Sequence, residues 1–69
     1  MLRKGDKIIV HMFSLDGSGN WTGAEIKTRN YNKVFEIYEE GGKLGIDWNG
    51  FTPLDSFATE NGSIVFEGV

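Results

Sequence analysis

A chain of 69 residues with ten acidic and seven basic side chains, one histidine and no cysteine has no disulfide and no thiolate metal site, and a lone imidazole does not make a histidine zinc site. A domain of this length buries only about 60% of the surface its unfolded chain exposes, so five Phe, two Trp and two Tyr must build the core together with the aliphatics, or a partner subunit must complete it. The net charge of −3 argues against strong non-specific nucleic-acid binding, which draws its affinity from neutralised phosphates.

The charge is uneven. Residues 1–33 carry six basic side chains against three acidic ones, and residues 34–69 carry one against seven. The first part is therefore +3 and the second −6, which allows a basic edge and an acidic face. Met1 to Asp6 leads into a strand-like segment without the apolar stretch of a secretory leader. No apolar run is long enough to span a bilayer. With no cysteine, a reducing, cytoplasmic setting is the expectation.

Lys4-Gly5-Asp6 reads as a turn into the first strand, Lys7 to Phe13. Ile8, Val10 and Met12 point one way there, and Ile9, His11 and Phe13 the other. Both sides are largely apolar, so this strand is expected to be central or curled into a barrel, with its core face undecided. Ser14 to Asn20 is a glycine-rich loop. Trp21 to Thr28 is the second strand, where Gly23 signals a bulge or a sharp bend. Arg29 to Asn32 is a turn.

Lys33 to Phe51 reads as the centre of the fold. Val34, Glu36 and Tyr38 alternate with Phe35, Ile37 and Glu39, and Leu44, Ile46 and Trp48 with Lys43, Gly45 and Asp47. That is the period of a sheet with one dry face. Glu40-Gly41-Gly42 joins the two strands, and Asn49-Gly50 turns the chain again before Phe51. Pro53 to Thr59 is expected as a short helical turn, opened by Thr52-Pro53 and ended by Asn61-Gly62, with Leu54, Phe57 and Ala58 inward. Ser63 to Glu67 is the last strand.

Five short strands with a helical turn before the last resemble the SH3-like small barrel in order of elements. The resemblance covers most of the chain and concerns order, not motif. The aromatic-acidic loop and paired tryptophans with which SH3 domains grip proline-rich peptides are absent, so that function does not carry over. An OB-like barrel and an open antiparallel sheet with a short helix fit the same order. The expectation is all-β, one small barrel over residues 1–69.

No specific chemical signature appears. His11 as a general base needs an orienting acid and a nucleophile in a cleft, and the sequence offers only a histidine between Val10 and Met12. Glu36 and Asp47 on adjacent strands are a paired-carboxylate candidate, with wet-face residues as the competing reading. Asp16 to Asn20 begins like a calcium loop, but Trp21 stands where that loop needs glycine and Lys27 where it needs a bidentate glutamate. No enzyme, cofactor or metal site is expected.

Binding remains. The aromatics are too many to be hidden together, and exposed aromatics beside arginine make interface hot spots. A protein-binding face is expected at Val34, Glu36 and Tyr38 with the turn that carries Arg29, Tyr31 and Lys33. The acidic second part suits a basic partner, including the nucleic-acid channel of a larger enzyme, in the manner of small stoichiometric inhibitors such as phage-encoded ones. The alternative is a single-stranded nucleic-acid site built from Trp21, Lys27, Arg29, Tyr31 and Lys33, stacking bases between cations. A third reading is a homo-oligomer whose unpaired strand edges or apolar face meet each other.

Overall fold

The computed structural model describes residues 1–18, 21–57, 59 and 62–69, and only the backbone of Trp21. Its strands are β1 (Lys7–Leu15), β2 (Trp21–Glu25), β3 (Val34–Glu36), β4 (Tyr38–Glu40), β5 (Lys43–Asp47), β6 (Phe51–Pro53) and β7 (Ile64–Gly68), with a 3-10 turn at Leu54–Ser56. The all-β expectation holds. The described strands form two antiparallel sheets, however, and no closed barrel. Seven strands replace the expected five, because the strand begun at Val34 breaks at Ile37 and because Phe51–Pro53 pairs as a strand of its own.

β1 is the common member of the larger sheet and pairs with β2, β3 and β7. Ile8 lies opposite both Phe35 and Gly68, so β3 and β7 occupy opposite edges. The Phe13 N–H donates to the Ser63 carbonyl, and the Ile26 N–H donates to the Met12 carbonyl. Successive residues of a strand present their backbone groups to opposite edges. β7 therefore runs along one edge of β1, and β3 and then β2 along the other. The smaller sheet is β4-β5-β6.

Three glycine signals read from the sequence are met by geometry. Gly41 and Gly42 have φ of 60° and 80° between the paired Glu40 and Lys43. Positive φ at both central residues is the two-residue turn whose twist matches a hairpin. Gly23, with φ of 82°, sits where the β1–β2 register shifts between Phe13↔Glu25 and Leu15↔Trp21. Three residues of β2 there oppose Ser14 alone, and the Ser14 and Thr22 hydroxyls meet at 2.6 Å. The Ala58 placement and the Asn61 stop lie outside the described residues, as do Gly19 and Asn20 of the first loop.

The core is the alternation of β1 and β3 made three-dimensional. Ile8, Val10, Phe35, Ile37 and Ile46 are buried, which makes Ile8, Val10 and Met12 the inward face of β1. Complete burial of one such aliphatic is worth about 1.5–3 kcal/mol. Phe35, Trp48, Phe57 and Phe66 continue the core as successive ring contacts, each with centroids 5.5 Å apart. Leu54, which opens the 3-10 turn, and Phe57, which follows it, pack against this core.

Gly45 is buried in the middle of β5. A Cβ there would meet the Thr52 carbonyl oxygen and lie 2.7 Å from the Phe51 ring. Gly17, by contrast, has open space and no positive φ. Gly45→Ala should lower stability by about 2–3 kcal/mol through overpacking against backbone, and Gly17→Ala should change it little, as read by urea denaturation. Equal midpoints for the two variants would contradict this packing.

Candidate protein-binding face

Residues directly opposite in an antiparallel pair share a face. Ile9 lies opposite Val34 and Glu67, Lys7 opposite Glu36, His11 opposite Val65, and Phe13 opposite Glu25. These side chains form the outer face of the larger sheet, since Ile8 and Val10 take the inner one. Val34 is 48% exposed and Val65 44%, while Ile9, His11 and Phe13 are half-buried between them. The face is thus an apolar row crossed by charge.

The charge is held in place. The His11 Nδ1 is 2.9 Å from a Glu25 carboxylate oxygen, and its Nε2 is 3.3 Å from one of Glu67. An ionised carboxylate only accepts, so satisfying both contacts requires an N–H on each ring nitrogen, which is the imidazolium. The Glu25 hydrogen bond, followed by that of Glu67, raises the His11 pKa above its ordinary value, and burial opposes the rise. Both ring nitrogens are thus engaged by carboxylates. This clasp ties β2 and β7, on opposite edges, to the middle of β1. The sequence offered His11 as a lone strand histidine. Its partners were not legible because they lie 14 and 56 residues away.

The residues expected in the binding face are divided by the fold. Val34 and Glu36 share the outer face. Tyr38 lies beyond the break at Ile37, in the smaller sheet, with its ring 5.2 Å from that of Phe51. The 29–33 turn leads into Val34. There the Tyr31 N–H donates to the Thr28 carbonyl and the Lys33 N–H to the Asn30 carbonyl, and Asn32 takes a φ of 59°. Tyr31 is exposed and lies under the Lys27 ammonium at 5.5 Å. Lys33 sits 5.2 Å over the Phe35 ring. Arg29 reaches Asn49 at 3.5 Å. Of the nucleic-acid candidates, Lys27 and Tyr31 are brought together, Arg29 and Lys33 reach other residues, and the Trp21 side chain is outside the described residues.

Glu36 lies opposite Lys7 and Asp47 opposite Phe51, so the strands bearing these carboxylates are not hydrogen-bonded neighbours. Asp16 accepts the Ser18 N–H at 2.8 Å, as in a local turn. Among the described residues there is no group of three metal-ligating side chains and no helix long and apolar enough to cross a membrane. Compared with known proteins, the chain matches no family, no curated protein and no solved structure.

The clasp has a pH signature. A histidine whose folded pKa lies above its unfolded value of about 6.5 stabilises fully below that value, and its contribution is lost as pH rises through the folded pKa. The stability difference between the unmodified chain and His11→Gln should therefore be greatest below pH 6.5 and shrink above it. Urea denaturation at a series of pH values measures it, and parallel curves would show that the clasp contributes nothing.

Proposed function

We propose that the chain is a non-enzymatic protein-binding module that uses the outer face of its larger sheet. The observation that supports this is the exposure of Val34 and Val65 on either side of Ile9 and of the fixed His11 clasp. Apolar side chains held on a rigid sheet, with charge at defined points, suit a specific partner better than a solvated surface does. The −6 charge of residues 34–69 favours a partner with a basic surface. Arg29, Tyr31 and Lys33, on the turn that leads into Val34, are assigned to the same contact, and Tyr38 to a second one on the smaller sheet. Occupation of a basic channel in a larger enzyme, as a stoichiometric inhibitor, is the form of binding this charge fits. A cytoplasmic setting and an SH3-like order of strands, left open, belong to the same reading.

The single-strand nucleic-acid reading has one observation in its favour, the pairing of Lys27 with the exposed Tyr31 ring. That ammonium already covers one face of the ring, so a base would have to stack on the other face or displace it.

The test is solution mass by light scattering over a range of concentrations, with and without a short single-stranded oligonucleotide at low and high salt. It is paired with capture of partners by the immobilised protein and by a Val34→Lys/Val65→Lys variant. The expected result is a monomer that ignores the oligonucleotide and a captured species that the variant loses. A mass shift that disappears at high salt would overturn the proposal in favour of phosphate contacts. A stable dimer without nucleic acid would assign the apolar face to self-association.

A further inference from the structure

We infer that the outward face of the smaller sheet is a subsite for an arginine side chain of the partner protein, received on the Tyr38–Phe51 ring pair, with the carboxylates of Glu40 and Asp47 flanking it at either end. The inference rests on the protein-binding reading above and names the group that the partner offers. Tyr38 lies opposite Gly45, Glu40 opposite Lys43, and Asp47 opposite Phe51. All of these therefore share one face.

Gly45 is what makes the site. Without a side chain at its centre, the Phe51 ring lies over the β5 backbone and reaches Tyr38, with centroids 5.2 Å apart and the planes at 68°. In an edge-on pair, contact with the partner covers one face of only one ring. The remaining ring surface is half-buried and electron-rich, which suits a flat, weakly hydrated cation.

The carboxylates are placed and available. Asp47 and Glu40 both act on the Tyr38 hydroxyl, after the larger effect of lost solvent, in raising its pKa. Lys43, the basic residue on this face, has its ammonium 3.0 Å from Asp55. Among the described residues neither Glu40 nor Asp47 has an ion-pair partner. The face therefore presents two uncompensated negative charges beside two aromatic rings. A guanidinium satisfies both demands at once, because it stacks on a ring and gives paired N–H groups to a neighbouring carboxylate. An ammonium meets only the charge.

The test is an NMR titration of the isotopically labelled protein with hexa-arginine, hexa-lysine and an uncharged peptide of equal length at fixed ionic strength. The expected result is that shifts concentrate at Tyr38, Gly45, Asp47 and Phe51, and that hexa-arginine binds several-fold more tightly than hexa-lysine. Glu40→Gln/Asp47→Asn, which is nearly isosteric, should weaken the arginine peptide about ten-fold. Tyr38→Leu should weaken it by about three- to five-fold, and Val34→Lys should leave the smaller-sheet shifts in place. Equal binding of the two cationic peptides, or shifts spread over all exposed carboxylates, would overturn the subsite. If Val34→Lys/Val65→Lys keeps the captured partner while this titration succeeds, the larger-sheet reading fails and the arginine subsite stands. Loss of the partner in that variant with no localised arginine shifts overturns the subsite alone.

Discussion

The two sheets depend on one residue. Ile37 lies between β3 and β4, outside both. Its N–H donates to the Asp6 carbonyl, and its carbonyl accepts from the Gly5 N–H, each at 2.8 Å. Two residues of one strand thus oppose one of the other, with Gly5 at a φ of 94°. This is a bulge with glycine in the left-handed position. It gives the backbone of Ile37 partners at the point where the chain leaves the larger sheet for the smaller. The Ile37 side chain is completely buried, so the joint is fixed by packing as well as by hydrogen bonds.

The rest of the core follows from where that joint points. Phe35 and Ile37 both face inward, so the chain changes sheets without surrendering its buried face. Phe35 then meets Trp48, and the ring contacts run on through Phe57 to Phe66. The 3-10 turn at Leu54–Ser56 has no side-chain cap. Its place is set by Leu54 and Phe57 gripping the core. With no cysteine in the chain, aromatic area takes the part that disulfides take in many small domains.

Alternation carried most of what was legible beforehand. Phe35 and Ile37 inward with Val34 and Glu36 outward, the reversal at Gly41-Gly42, the irregularity at Gly23 and the turn after Thr28 are all local. Residue type and spacing determine them. Closure is not local. Whether strands meet as a barrel or stop as two sheets depends on where pairing breaks, and nothing in the side chain of Ile37 distinguishes a break from a continuing strand. The hydrophobic period passes through it unchanged. The candidate sites divide in the same way. Val34 and Glu36 were readable as one face, whereas His11 acquired its carboxylates, and Tyr38 its ring partner, only when distant strands were brought together.

The pairing of β1 with β7 also governs how the chain reaches this structure. Ile8 lies opposite Gly68, and Met12 opposite Ile64. Those partners are separated by most of the chain. Contacts of long sequence separation slow the search for the native state, because loop-closure entropy is lost before the contact forms. β1 can gather β2 and β3 early, but it must wait for β7 with one edge open. Throughout that interval a strand rich in β-branched residues presents unsatisfied backbone to any neighbour, a state prone to association between molecules. Refolding of this protein is thus a competition between one intramolecular strand and the concentration of other chains.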